Sequence, residues 1–185
     1  MDIAPVSLPA PRLDPLAASE WDEFLARLAA ATPGGPETTL NIFATLGRHR
    51  ELFRRWIGFG GALLSGVLPP RTRELAILRT AANCRADYEW AHHVPMAGAA
   101  GVSALEIDAL SRPLGDHHWD PADFDVLRAV DEMHQTLALT DGAWAAVHDH
   151  LGDDATIELI MLVGQYHLVA LVLRTLGIEV EEDLG

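Results

Sequence analysis

Nowhere along the 185 residues do apolar and polar side chains alternate for more than a few positions, and that alternation is what a half-buried strand requires. Apolar residues recur at helical spacing instead, and the segments that carry this rhythm are bounded by helix start and stop signals. Ser19 caps a predicted helix from Glu20 to Ala31, with Asp22 in the capping-box position and Trp21, Phe24, Leu25 and Leu28 as its stripe. Thr-Pro-Gly-Gly-Pro at 32–36 ends it, and helices are expected from Thr38 to Leu46 and from Arg50 to Leu64. Pro69-Pro70 starts a helix, since proline at the first position loses no needed N–H. Asn83 is read as the cap of the next helix, which runs from Arg85 to Ala100. Ser103 with Glu106 forms a second capping box before a short helix to Leu110. Asp120-Pro121 opens a helix to Leu137, and Thr140 or Asp141 caps another to Leu151. Asp153 and Asp154 open the last, to Leu176, with Gly177 as a left-handed stop. The expected fold is all-α with about eight helices: a Pro-rich arm at 1–18, then a single domain at 19–185.

A hydrophobic content of 49% gives such a domain ample material for a core. A single cysteine, Cys84, excludes an intrachain disulfide and a thiolate cluster and fits a reducing cytoplasm. The net charge of -14 argues against nucleic acid, which is bound through basic surfaces. It also means that an anionic substrate needs local cations, for which Arg71, Arg73, Arg79 and Arg85 are the candidates. The N-terminus lacks the basic start and apolar run of a signal peptide. The longest apolar stretch, Ile157 to Leu173, is interrupted by Gln165, Tyr166 and His167, so it reads as a buried helix, not a membrane span. The acidic tail from Glu179 to Asp183 reads as a solvated end.

The residues able to do chemistry concentrate between Arg71 and Gly101. If the chain reverses at Asn83, Glu74 and His92 lie nine positions either side of it, so an antiparallel hairpin sets a carboxylate opposite an imidazole. Such a pair suits general acid/base work. Arg85, Tyr88, Glu89, His92 and His93 share one stripe of the second helix, where Tyr88 can donate to a developing oxyanion. Glu89-x-x-His92 and Asp131-x-x-His134 have the carboxylate and imidazole spacing of di-iron bundles, with Glu74 and Glu158 as the further carboxylates. The second motif has Asp for Glu, and no metal is expected. His167, on an otherwise apolar helix, reads as a hydrogen-bonded core histidine, and both it and His134 are possible pocket residues.

The stretch resembles the carboxymuconolactone decarboxylase family, which includes the alkylhydroperoxidase D-like proteins. The peroxidase branch has a Glu, about a dozen residues, a C-x-x-C pair, then three residues to a His. Here Glu74 matches the Glu and His92 the His, with Arg85 and Tyr88 at the cysteine slots and Cys84 one position away. Tyr88-Glu89-Trp90-Ala91-His92-His93 is similar to the decarboxylase-type members without the cysteine pair. Weaker likeness extends over residues 38–180. The resemblance implies an alkylhydroperoxidase D-like helical bundle and a homotrimer or homohexamer. It further implies cofactor-free decarboxylation or proton transfer on a small cyclic unsaturated acid or lactone. Glu74, His92 and Tyr88 are then the catalytic residues, and Arg85, Glu89, His93 and Cys84 contact substrate. Two alternatives remain: a thiol-dependent peroxidase using Cys84, and a non-catalytic protein that binds a small ligand.

Overall fold

The computed structural model describes residues 10–31 and 40–181. Eight α-helices follow one another: α1 Glu23–Ala31, α2 Asn41–Leu46, α3 Arg50–Leu64, α4 Pro70–Cys84, α5 Asp87–Ala99, α6 Ala104–Leu110, α7 Pro121–Thr136 and α8 Asp141–Leu176. Short 3-10 turns lie at Ala18–Glu20, Gly47–His49 and Leu114–Asp116, and there is no strand among the described residues. The chain divides into two compact units, residues 1–59 with 171–185, and residues 60–170.

In the first unit, Leu25, Ala29, Ile42, Ala44 and Phe53 are buried, and Phe53 meets Phe24 edge-on at 6.0 Å between ring centroids. The start of α1 is not Ser19 but Asp22, whose carboxylate accepts the Leu25 N–H at 2.9 Å. Ser19 falls inside the 3-10 turn, so Asp22 is the cap itself and not its capping-box partner. Both chain ends are tied down as far as they are described. Arg12 N–H donates to the Leu176 carbonyl at 2.8 Å, and Asn41 N–H donates to Glu181 at 2.5 Å. The expected solvated tail is thus anchored as far as Glu181. The expected stop at 32–36, the start at Thr38 and the last tail residues lie outside the described residues.

The second unit is built around α4, which packs against α5, α6 and α7. Every residue from Glu74 to Ala81 is buried. Leu75 and Leu78 join Ala97, Val102, Leu110, Trp119 and Leu127 on one side. Ala76 and Ile77 join Val130, Met133, Leu159, Leu162 and Val163 on the other. Each fully buried Leu or Ile contributes about 1.5–3 kcal/mol by leaving water. A helix enclosed in this way can keep polar side chains only where each finds a partner. Arg79 meets that condition with both Asp131 oxygens at 2.6 Å and the Leu110 and Arg112 carbonyls. Arg71 is held by Asp123, Glu106 and the Gly101 carbonyl, and its guanidinium holds the Glu106 carboxyl down at about 2.

The turn between α4 and α5 comes later than the sequence suggests. Asn83 does not cap α5; it lies within α4, and its amide donates to Asp131 at 2.8 Å. The helix runs on to Cys84 and stops because Arg85 adopts a left-handed conformation, φ 53°. Arg85 N–H then reaches the Ala82 carbonyl and Ala86 N–H the Ala81 carbonyl, the paired bonds of a Schellman ending. The Ser103 and Glu106 capping box and the Asp120-Pro121 start take the expected form. α8 is broken at Gly152, whose φ 71° and ψ -177° are open only to glycine. By length and composition α8 would suffice to cross a membrane, but half of its most apolar window is buried inside the protein.

Candidate functional site

One helical turn of α5 sets the site. Glu89 and His93 stand four residues apart, so both point from the same face, and both are buried. Across from them, α4 presents Glu74 and α8 presents Tyr166. His93 Nδ1 lies 2.8 Å from Glu74 Oε2 and His93 Nε2 lies 2.9 Å from the Tyr166 hydroxyl. With Nδ1–H donating to the Glu74 carboxylate, Nε2 accepts from the Tyr166 O–H, so the imidazole is fixed at both nitrogens. The Tyr166 ring meets His93 edge-on. The other Glu74 oxygen lies 3.7 Å from Arg73 Nε.

Glu89 is the odd member. Its side chain is 3% exposed, and neither carboxyl oxygen has a hydrogen-bond partner. Loss of water alone pushes its pKa up to about 9, so at neutral pH it is a carboxylic acid with a proton to give. Burial, followed by the negative charge of Glu74, raises the Tyr166 hydroxyl well above the usual phenol range and keeps it protonated.

The imidazole opposite Glu74 is therefore His93, where the sequence spacing had placed His92. His92 Nδ1–H donates to the Tyr88 carbonyl of its own helix at 2.8 Å, and its ring stacks on Tyr88 with centroids 4.2 Å apart. The difference is one of helix face: neighbouring residues of α5 point in different directions, and the face turned to Glu74 carries Glu89 and His93, while His92 lies beside Tyr88. Arg85 itself lines a surface hollow of about 300 Å³ together with Ala86, Trp90 and Ser111. Of the four arginines considered for an anion, Arg71 and Arg79 are committed to carboxylates, and Arg73 is the one beside Glu74. Tyr166 was missed: the polar triplet Gln165-Tyr166-His167 in an apolar helix was its signal, and it reads first as a break in a membrane-like run.

Of the carboxylates of the di-iron motif, Asp131 and Glu158 are held away from Glu74 and Glu89. Asp131 is engaged by Arg79 and Asn83, and Glu158 accepts the Val67 and Leu68 N–H groups. A different set gathers at the far end of α4. Cys84 Sγ lies 4.0 Å from His134 Nδ1, and His134 Nδ1 lies 2.8 Å from His167 Nε2. Burial, helped by His167, lowers the His134 pKa and keeps that ring neutral.

Residues 50–132 match the model of the carboxymuconolactone decarboxylase family. The similarity to that family is carried by this segment, which holds Glu74, Glu89 and His93. The fold of the chain is that of alkylhydroperoxidase D-like proteins. A peroxidase-related protein from Ralstonia eutropha JMP134 with an alkylhydroperoxidase AhpD core superposes with a TM-score of 0.83 at 15% identity, covering 96% of each chain. A peroxidase-related protein from Silicibacter sp. TM1040 gives 0.82 at 11% identity, covering 98% of this chain and 96% of that one. The debrominase Bmp8, solved as its C82A form with 2,3,4-tribromopyrrole, gives 0.77 at 13% identity over 94% and 93%. Among curated proteins none matches the sequence significantly.

Proposed function

We propose that the chain is a cofactor-free acid/base enzyme that decarboxylates, or moves a proton within, a small cyclic unsaturated acid or lactone. The reading is carried by the Glu74, His93 and Tyr166 relay, with the protonated Glu89 one turn before His93 on the same face of α5. In a decarboxylation, the bond to the departing carbon dioxide breaks and its electron pair spreads into the conjugated carbonyl as an extended enolate. Glu89 gives its proton to carbon, and the product carries hydrogen where the carboxylate stood. Tyr166 and His93, aligned by Glu74, hold the adjacent oxygen and return a proton to the site. Arg73 offsets charge in a chain whose net balance repels anionic substrates. General acid/base groups of this kind are worth about a hundredfold to ten-thousandfold in rate.

The test is carbon dioxide release from a panel of carboxylated lactones by the wild type and by Glu74→Gln, His93→Asn, Glu89→Gln and Cys84→Ser. Expected is a loss of about a hundredfold or more in the first three with folding retained, and near wild-type turnover in Cys84→Ser. One observation favours a second reading, a thiol-dependent peroxidase: the approach of Cys84 Sγ to His134. Against it stands the lack of a second cysteine to resolve a sulfenic acid. Rapid hydroperoxide turnover with a dithiol reductant, lost in Cys84→Ser and accompanied by no decarboxylation, would overturn the preferred reading.

A further inference from the structure

Cys84 is the last residue of α4, His134 lies in the last turn of α7, and His167 lies in the middle of α8. Three helices thus converge to place one sulfur and two ring nitrogens within 4.8 Å of one another. None of the three belongs to the Glu74, His93, Tyr166 and Glu89 site; Glu74 and Cys84 stand ten residues apart on one helix, about 15 Å along its axis. We infer that Cys84, His134 and His167 form a binding site for one zinc-class transition-metal ion, with a fourth position left open.

The donor chemistry selects the class. A thiolate with two imidazoles suits a borderline-soft ion such as zinc and not magnesium or calcium, which take oxygen ligands. Asp131, one turn before His134, is bound at both oxygens by Arg79 and at one by Asn83, so it adds no hard ligand. His167 is oriented as metal-bound histidines are: its Nδ1–H donates to the Val163 carbonyl at 2.8 Å, which leaves the Nε2 lone pair facing His134. The spacing is close to what an ion needs. Around a tetrahedral zinc, two nitrogens stand about 3.3 Å apart and a nitrogen and a sulfur about 3.6 Å. The present separations are 2.8 Å between the histidines and 4.0 Å between His134 and Cys84. The histidine pair opens by about half an ångström, the Cys84–His134 pair closes by about as much, and the Cys84–His167 pair, within 4.8 Å, closes by about 1 Å at most to reach that geometry. Each of the three side chains is partly exposed, which gives the ion an entry path and the fourth position a water. On binding, the Cys84 thiol loses its proton to solvent and the His134 proton moves from Nδ1 to Nε2.

This site was not legible as a motif, because its ligands come from three helices at separations of 50 and 33 residues. It also departs from the expectation of no metal, which was drawn from the incomplete di-iron pattern and from other residues. The experiment uses the full chain, stripped with a chelator under reducing conditions and titrated with cobalt(II). Expected are one equivalent bound per chain, a near-ultraviolet sulfur-to-cobalt charge-transfer band, intense visible bands of a tetrahedral ion, and displacement by zinc. Cys84→Ala removes the charge-transfer band, and His134→Gln and His167→Gln each reduce binding, while His148→Gln, at a solvent-facing histidine, leaves all signals unchanged. Far-ultraviolet circular dichroism on each variant separates lost binding from lost fold, and Cys84→Ser serves as the second thiol variant. No charge-transfer band in the wild type, a band that survives in folded Cys84→Ala or Cys84→Ser, or binding indifferent to both His134→Gln and His167→Gln would overturn the site.

Discussion

A carboxyl group sealed from water with no donor facing it must stay protonated, and Glu89 makes that cost readable as stability. Its pKa rises from an ordinary 4.5 to about 9 on folding. The folded state therefore holds a proton that the unfolded state releases above about pH 4.5. Stability is fully present below that pH and is lost progressively as pH rises through about 9. Urea midpoints at about pH 6 and about pH 8 should fall in the wild type and stay level in Glu89→Gln, which has no proton to lose. An equal fall in both proteins would show that Glu89 is ionised in the native state. Tyr166→Phe removes the hydroxyl that faces His93 Nε2 and leaves a buried acceptor without its donor, at a cost of about 1–3 kcal/mol. We expect the larger effect in kcat and a shifted pH profile, with KM nearly unchanged; an unaltered pH profile would reduce Tyr166 to a packing residue. Glu74 was legible in the sequence from its spacing, nine positions before Asn83. Its partner was not, because spacing about a turn gives height along a hairpin and not the helix face, and the face of α5 turned to Glu74 carries Glu89 and His93.

Among the elements, the two halves of α8 depend on one residue. Gly152 holds φ 71° and ψ -177°, a region that a side chain reaches only with strain of about 1–3 kcal/mol. Gly152→Ala should lower the unfolding temperature by several degrees, although open space lies around the added Cβ, so crowding plays no part in the loss. The converse holds at the end of α7. Leu137 takes φ 59° while 89% exposed, so Leu137→Gly relieves a strained backbone and removes apolar surface from water. A gain of about 0.5–1 kcal/mol is expected in chemical denaturation, and a loss would mean that the side chain is covered in solution. Helix starts such as Ser103 and Asp120-Pro121 were readable because their caps use short polar side chains. The stop at Arg85 was not, since it is imposed by tertiary packing on a residue with no preference for that conformation, whereas α7 ends at the expected Leu137.

At the scale of the molecule, α8 presents Ile157, Met161 and Leu168 to solvent at 58%, 47% and 48% exposure. Their spacings of four and seven place them on one face. We propose that a second copy covers that face in the expected homotrimer or homohexamer. Light scattering should return a closed assembly of three or six chains, dissociated by Ile157→Glu with Leu168→Glu; a monomeric wild type would remove the basis for the assembly. The all-helical class was evident from periodicity alone, whereas the central place of α4 was not, because a helix enclosed on every side loses the polar stripe that marks an orientation. That enclosure makes α4 a ruler. Glu74 answers to α5, Arg79 and Asn83 to α7, and every residue added or removed between them turns the remainder by about 100° and slides it by about 1.5 Å. Homologous chains can therefore differ in length in the connections around 111–120, but an insertion or deletion within 74–84 would uncouple one end of the helix from its partners whatever residue it brought in.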